Sequence, residues 1–259
     1  RLSGCGHGTH VAGIAAGGIG QPRSGNPASG VARGANLLTI NVFSEVDGAT
    51  GRCGSLPEGR TGCLLASSSD IIRGLERVYA LRQQYRIAAV NLSLGGALYS
   101  ARCTSEPAAQ IVQQLRNAGI AVIAAAGNDG QDGRISWPAC LPGVIVVANA
   151  TKQDERWSGS NWARLVDLVA PGRQIRSSHL DPQNANSTTY YAWMTGTSMA
   201  APHVAGAFAA IRSELPAATV DQILGALRST GRPITSAGVT LPRIWRVRRV
   251  RPMTVSPTA

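Results

Sequence analysis

Residues 196–206 read GTSMAAPHVAG, a tight turn that leads into a helix with Ser198 at its start. The helix is rich in alanine, and small apolar residues on all sides of a helix indicate burial. Pro202 has no N–H to bond the carbonyl of Ser198, four residues earlier, so the first turn should be irregular. Helix N-termini favour negative charge, which a nucleophilic serine develops during acyl transfer. A serine here could equally be an ordinary N-cap, so the rest of the chain must decide.

Helix and strand patterns alternate through the rest of the chain. Nearly continuous apolar runs predict buried strands at 88–94, 120–126, 144–148 and 165–169, with a further β run at 36–43. Apolar spacing and flanking residues predict helices at 8–17, 69–86 (capped by Ser68 or Ser69), 106–117 (closed by Gly119) and 220–229. This alternation predicts an α/β fold: a doubly wound, mostly parallel sheet with helices on both faces and sites at the carboxyl ends of the strands.

Composition excludes several classes of protein. The 259 residues are 44% hydrophobic, enough for a full core, and no apolar run reaches the length of a transmembrane helix. We expect one domain over residues 1–259. The net charge of +11 comes almost wholly from scattered arginines, with one cluster at 243–251, and few aromatic residues lie among them. We therefore expect no nucleic-acid partner and no membrane partner. A basic protein that binds surfaces through this cluster remains an alternative.

Five cysteines allow two internal disulfides with one cysteine left over. We predict that Cys53 bonds to Cys63 and that Cys103 bonds to Cys140, which implies an oxidising compartment. Cys5 is then free or bonded to residues outside this sequence.

Three residues of complementary chemistry lie at predicted strand–helix junctions. His7 begins the first helix, Asn128 follows the 120–126 strand, and Ser198 opens the alanine-rich helix. A base, an amide donor and a hydroxyl nucleophile are the components of acyl-transfer catalysis. The alternative for His7 and His10 is a metal-binding pair, but the helix offers no third ligand.

These motifs together resemble the subtilisin-like serine proteases (subtilases, peptidase family S8). The matching segments, in family order, cover residues 6 to about 244: HGTHVAG at 7–13, NLSLGG at 91–96, AAGN at 125–128, VAPG at 169–172 and GTSMAAPHVAG at 196–206. The resemblance implies a three-layer α/β sandwich and a serine endopeptidase. It also implies a cis peptide bond between Trp137 and Pro138.

The resemblance assigns roles residue by residue. Ser198 is the nucleophile, His7 the general base, and Asn128 with the Ser198 N–H the oxyanion donors. The substrate-binding residues are Ser93, Leu94, Gly95, Gly96 and Gly127, and the first three of these present backbone to an extended substrate. His10 and His203 are expected to pack structurally. The residue preceding the scissile bond (P1) is expected to enter a recess with Asp129 at its rim and Ser136 at its floor. Because Ser136 is neutral, we expect broad cleavage after large apolar or neutral residues.

The chain departs from the family pattern at its N-terminus. The family's third catalytic residue is an aspartate upstream of the histidine motif, whereas only six residues precede His7, and Asp47, Asp70 and Asp167 fall in other elements. We therefore expect an N-terminally truncated chain whose full protein carries that aspartate. A catalytically inactive binding module with the same fold is the alternative.

The remaining expectations concern surroundings and partners. The enzyme should be secreted, either extracellular or periplasmic, act on protein or peptide substrates as a monomer, and have a pro-segment in its precursor. The chemistry requires no cofactor, and no acidic cluster supports a calcium site strongly. Residues 245–259 are expected to form an irregular, arginine-rich tail.

Overall fold

The elements of the fold alternate along the chain much as expected. A computed structural model describes residues 2–3, 5–18, 29–53, 61–180 and 190–244, which exclude the tail predicted at 245–259. Its helices are α1 (His7–Ala16), α2 (Ser68–Leu81), α3 (Ala108–Asn117), α4 (Thr197–Glu214) and α5 (Val220–Ser229), with a 3-10 turn at Gly48–Thr50. Its strands are β1 (Leu2–Ser3), β2 (Ser44–Asp47), β3 (Gly62–Leu65), β4 (Ala89–Leu92), β5 (Leu98–Tyr99), β6 (Ala121–Ala125), β7 (Ile135–Ser136), β8 (Ile145–Ala150), β9 (Leu168–Pro171), β10 (Ile175–Ser178), β11 (Tyr191–Met194), β12 (Arg232–Ser236) and β13 (Val239–Arg243).

A six-stranded sheet runs through the centre in the order β12-β13-β9-β8-β6-β4. Strands β4, β6, β8 and β9 are parallel, β13 joins β9 in parallel, and β12 pairs with β13 in the antiparallel direction. The mostly parallel α/β sheet is therefore confirmed. Because parallel strands end at the same edge of a sheet, the segments that follow β4 and β6 are neighbours.

The sequence of β6 is apolar throughout because both of its faces are buried. Ala121, Ile123 and Ala125 pack in a core with α4 and α5, whereas Val122 and Ala124 pack in a second core with α2 and α3. Alternate side chains of a strand point to opposite faces, so a strand covered on both faces must be apolar at every position. The two cores confirm the prediction of helices on both faces.

Helix α4 is buried, as its alanine content predicted. It packs against α1 on one side and across β4, β6, β8 and β9 on the other. A Cβ atom on Gly206 would lie 2.8 Å from the carbonyl oxygen of Ala15 and 2.7 Å from the Cβ of Val31. The small residues of α4 therefore allow the backbone of α1 to approach closely.

The β strand predicted at residues 36–43 is not formed. None of the described strands pairs with this segment, and the nearest strand, β2, begins at Ser44. Leu37 and Leu38 remain 49% and 45% exposed. The segment lines an apolar cleft of about 2520 Å³ whose other walls include β4, the edge strand of the described sheet. A β-prone sequence forms a strand only where a neighbouring strand supplies hydrogen bonds. The prediction, which rested on β-propensity alone, was therefore wrong.

Other boundaries differ by a few residues from the predictions. Helix α2 ends at Leu81 and is capped by Ser67, whose Oγ accepts from the N–H of Asp70 at 3.1 Å. The sequence predicts Ser68 or Ser69 as the cap and a helix that extends to residue 86.

The β10–β11 and β12–β13 hairpins were not predicted, whereas Gly119 follows α3 in a left-handed conformation as expected. The peptide bond between Trp137 and Pro138 is cis, as the resemblance implied.

Both predicted disulfides are present. Cys53 bonds to Cys63 and Cys103 bonds to Cys140, while Cys5 is free and exposed. In the part of the chain that the structure describes, no helix combines the length and apolarity needed to cross a membrane.

The Cys103–Cys140 bond should contribute more to stability than the Cys53–Cys63 bond. The two bridges span 37 and 10 residues respectively, and the entropy removed from the unfolded chain grows with loop length. We expect the Cys103→Ser/Cys140→Ser double variant to lose about 4 kcal/mol of unfolding free energy, and the Cys53→Ser/Cys63→Ser variant about 1 kcal/mol less than that. Urea denaturation of both variants measures the two losses, and equal losses would contradict the loop-length argument.

Candidate active site

Ser198 is the second residue of α4 and is half-buried. Pro202 lies inside the helix, so the carbonyl of Ser198 lacks its usual partner from the helix backbone. The hydroxyl of Ser93, which follows β4, donates to this carbonyl at 2.8 Å. The Ser198 carbonyl that Pro202 leaves without a helical partner therefore attaches the first turn of α4 to the 93–96 segment.

Asn128 lies beside the same turn and has a defined orientation. Its Oδ1 accepts from the N–H of Thr197 at 2.8 Å and from the Thr197 hydroxyl at 2.9 Å. Only the carboxamide oxygen can accept, so these two bonds fix the amide and leave Nδ2 as the free donor. The Asn128 side chain is exposed, and no described residue accepts a hydrogen bond from Nδ2. Asn128 therefore presents an N–H donor next to Ser198.

The Gly127 position admits no side chain. Its φ of +109° favours glycine, and a Cβ atom there would lie 2.2 Å from both Asn161 Nδ2 and Ser136 Oγ. The Gly127 N–H donates to the Thr197 hydroxyl at 3.2 Å. The loop that carries Asn128 is thus in direct contact with the segment that carries Ser198.

The predicted substrate segment, residues 93–96, lines the cleft, and two of its backbone polar groups make hydrogen bonds. The carbonyl of Ser93 accepts from Ser198 Oγ at 3.5 Å, a long contact, and the Gly96 N–H donates to the Trp137 carbonyl at 2.9 Å. Leu94 is half-buried and Gly95 packs against Ser136.

His7 is the first residue of α1, preceded by Gly6 in a left-handed conformation with a φ of +83°. It lines the same cleft as residues 93–96 and is half-buried. Within the described residues its ring makes no hydrogen bond, either to Ser198 or to a carboxylate. Hydrogen bonds therefore join Ser198 to Ser93 and its neighbour Thr197 to Asn128. His7 lies in the adjoining cleft without such a bond among the described residues.

Comparison with known proteins identifies the family. The sequence profile of the Subtilase family (Peptidase_S8) matches residues 2–241. The chain belongs to the subtilase family. This confirms the resemblance carried by the histidine, asparagine and serine motifs.

Individual relatives agree with this assignment. The chain is 34% identical over 241 residues to an extracellular serine proteinase of Thermus sp. (strain Rt41A), covering 92% of the chain and 49% of the relative. It is 39% identical over 204 residues to subtilisin-like protease 4 of Trichophyton equinum, covering 78% of the chain and 42% of that relative. The chain therefore spans about half the length of these curated relatives.

Solved structures show the same fold. A cold-adapted subtilisin-like serine proteinase superimposes with a TM-score of 0.70 at 31% identity, over 93% of this chain and 74% of that one. A protease of Pseudoalteromonas arctica gives a TM-score of 0.71 at 28% identity, over 92% of this chain and 68% of that one. The subtilisin-like α/β architecture is thus established by likeness of structure as well as of sequence.

His10 and His203, which were expected to pack structurally, make hydrogen bonds to backbone carbonyls in this subtilase. The buried His10 directs Nε2 to the carbonyls of Ile175 and Ala192, each at 3.1 Å. Its engagement with two carbonyls argues against the alternative of a metal pair with His7. His203 Nδ1 lies 2.8 Å from the carbonyl of Met199 within α4.

The candidate aspartates are engaged elsewhere. Asp167 is buried, accepts from the N–H of Val146 at 2.7 Å and pairs with Arg228; burial raises the pKa of its carboxyl. Asp47 accepts from the N–H of Ala49, and Asp70 pairs with Arg73 on α2. Among the described residues, no group of three or more histidine, cysteine, aspartate or glutamate side chains is arranged to hold a metal ion.

Two residues of the site were not assigned roles from sequence. Thr197 lies within the serine motif, where its position next to Ser198 was the available signal. Asn161 lies far along the chain from Asn128 and sits in no motif, so only the folded chain reveals that it contacts the 126–131 loop.

His179, at the end of β10, lies next to His7. A Cβ atom on Gly6 would lie 2.5 Å from Cε1 of the His179 ring, so the ring packs directly on Gly6. Burial lowers the pKa of His7 below its ordinary value, and the charge of His179 lowers it further. A general base must be neutral, so a lowered pKa keeps His7 competent at more acidic pH.

We therefore expect His179→Gln to move the acid limb of the kcat/KM profile to higher pH. The substitution removes the positive charge that disfavours protonated His7, so the pKa of His7 rises and activity is lost earlier as pH falls. Measurement of kcat/KM from about pH 4 to about pH 8 reports this midpoint. Arg176→Gln on the same hairpin is the matched control and should leave it in place. A midpoint unchanged or lowered in His179→Gln would contradict the expectation.

Proposed function

We propose that this protein is a secreted serine endopeptidase that hydrolyses peptide bonds through an acyl-enzyme intermediate. The observation that carries the proposal is the orientation of Asn128: Thr197 holds its Oδ1, so its Nδ2 donor is exposed beside Ser198. A fixed N–H donor next to a hydroxyl at a helix N-terminus is suited to stabilise the oxyanion of a tetrahedral intermediate. Family membership and the extracellular relative support the same conclusion.

The residues divide the reaction between them. Ser198 Oγ attacks the scissile carbonyl while His7 accepts the hydroxyl proton, and the carbonyl oxygen receives bonds from Asn128 Nδ2 and the Ser198 N–H. His7 then gives the proton to the leaving amine, the C–N bond breaks, and an ester to Ser198 remains. Water, deprotonated by His7, attacks this ester. The bond between the acyl carbon and Ser198 Oγ then breaks, His7 returns the proton to Oγ, and the acid is released. In this scheme Ser198 and His7 come into contact in the catalytically competent enzyme.

A carboxylate outside residues 1–259 completes the proposed triad. No described carboxylate bonds to His7, and Asp167 is held by Arg228 and Val146. A carboxylate would hold the imidazole in one tautomer and stabilise the imidazolium; loss of this group costs roughly 10⁴ in kcat in proteases of this mechanism. One edge of β4 pairs with none of the described strands, and this edge and the apolar cleft beside it support an additional extended segment there. The proposal therefore refers to the full-length protein.

The recess beside Ser198 suggests the substrate preference. It lies between residues 93–96 and 125–128, and Ser136 faces both walls: a Cβ atom on Gly95 would lie 3.2 Å from Ser136 Cβ, and one on Gly127 would lie 2.2 Å from its Oγ. The floor is therefore neutral. The carboxylate of Asp129, at the rim, already accepts from Asn161 Nδ2 at 3.0 Å. We propose broad cleavage after large apolar or neutral residues, with the substrate backbone paired to residues 93–95.

The test is hydrolysis of a peptide library by the full-length protein, together with labelling by a fluorophosphonate probe. A serine endopeptidase should cleave the library and react with the probe, whereas a catalytically inactive binding module with this fold should do neither. Cleavage confined to positions after arginine or lysine would refute the proposed preference. Retention on a polyanion column that drops when the chain is ended at Thr240 would favour the basic surface-binding alternative.

A further inference from the structure

Asn161 follows the turn after β8 and is fully buried, with 0% of its surface exposed. A buried carboxamide is costly unless its donors and acceptor are satisfied. Here both are used. Its Nδ2 donates to the carbonyl of Ala126 at 3.1 Å and to Asp129 Oδ2 at 3.0 Å. Its Oδ1 accepts from the N–H groups of Asp129 at 3.1 Å and Gln131 at 3.0 Å.

All of these partners belong to the loop that carries Asn128. The backbone N–H of Asn161 adds a bond to the carbonyl of Gly127 at 3.0 Å. Asn161 thus holds residues 126, 127, 129 and 131, on both sides of Asn128, while making no bond to Asn128 itself. The loop positions the Nδ2 donor without any contact between Asn161 and the reacting atoms.

We propose that Asn161 is a positioning residue for the oxyanion donor Asn128, an inference that rests on the proposed function. Only a carboxamide matches the loop, because two acceptors and two N–H donors face it at once. An aspartate would keep the acceptor for the Asp129 and Gln131 N–H groups. It would lose both donors and place a second carboxylate against Asp129. The loop would then shift, and a displacement of about 1 Å at a catalytic group can cost roughly 10² in rate.

The experiment is a double-mutant cycle in the full-length protein with a substrate that has a neutral P1 residue. We expect Asn161→Asp to lower kcat by about 10² with little change in KM, because the oxyanion forms only in the transition state. Asn128→Ala should lower kcat by roughly 10²–10³, the loss known for subtilisin itself. In the Asn128→Ala background, Asn161→Asp should cause no further loss of kcat, since the group it positions is absent.

Three further variants separate positioning from folding. Asp167→Asn alters a buried, hydrogen-bonded side chain at the amino ends of β8 and β9, away from the 126–131 loop. It should lower the free energy of unfolding without the loss of kcat expected for Asn161→Asp. If Asn161→Asp does not fold, Asp129→Ala removes one acceptor of the same clamp from an exposed position. It should lower kcat, and Asp129→Asn, which retains a carbonyl acceptor, should restore it.

The outcomes distinguish the two proposals. Losses of kcat that multiply in the double variant, or an equal loss in Asp167→Asn, would overturn the role of Asn161 alone. Absence of Ser198-dependent turnover in the unsubstituted protein would overturn the proposed function, and the role of Asn161 with it.

Discussion

Replacing Ser198 with alanine should abolish peptide hydrolysis and fluorophosphonate labelling in the full-length protein. The Oγ atom is the proposed nucleophile, and the neighbouring hydroxyls of Thr197 and Ser93 donate to Asn128 Oδ1 and to the Ser198 carbonyl. The expected loss is about 10⁶ in kcat, the magnitude known for subtilisin itself. The fold should be unaffected, because the hydroxyl makes a single long contact, 3.5 Å to the Ser93 carbonyl.

A matched serine tests whether the effect is specific. Ser67 also lies at a helix N-terminus, where its hydroxyl caps α2. Ser67→Ala should cost about 1 kcal/mol of stability and leave probe labelling intact. Probe labelling, turnover and thermal unfolding are measured for both variants. If Ser198 is the nucleophile, Ser198→Ala loses labelling and turnover but keeps its stability, whereas Ser67→Ala loses stability but keeps labelling and turnover. Persistent labelling of Ser198→Ala would assign the nucleophile to another residue and end the proposed mechanism.

The second large effect is expected for His7→Ala. Without the imidazole, Ser198 loses its proposed general base, so the serine remains a weak nucleophile. The loss should again be about 10⁶ in kcat, as for the corresponding change in subtilisin. KM should change far less, because His7 acts on the reacting proton and not on the substrate backbone.

The neighbouring histidine serves as the control for this change. His179→Gln removes a ring that packs on Gly6, the residue before His7, and should preserve kcat at about pH 8, where His7 is neutral in either protein. Steady-state kinetics of the two variants at that pH separate loss of the base from disturbance of its surroundings. A His7→Ala enzyme within tenfold of the unsubstituted kcat would show that another group is the base.

Much of the fold could be predicted because the patterns are local. The continuous apolar run of β6 follows from burial on both faces, and the alanine content of α4 follows from close helix packing. The two disulfides were predicted from the placement of their cysteines in loops and beside strands. Residues 36–43 were predicted wrongly because strand formation depends on a hydrogen-bonding neighbour, and none of the described strands supplies one.

The candidate site divides in the same way. The motifs around His7, Asn128 and Ser198 supplied the identities of the proposed catalytic residues and the family to which the chain belongs. The bond from Ser93 to the Ser198 carbonyl and the clamp of Asn161 on the 126–131 loop could not be read from spacing. They join segments that are remote in sequence.

The amino-acid sequence by itself determined the family, the alternation of helices and strands and the residue types available for chemistry, because these depend on local pattern and on motifs. Tertiary structure alone decided which way the Asn128 amide points, which residues hold its loop and which strand lies at the edge of the described sheet. Those features arise from hydrogen bonds between distant segments, whose geometry exists only after the sheet and helices have packed.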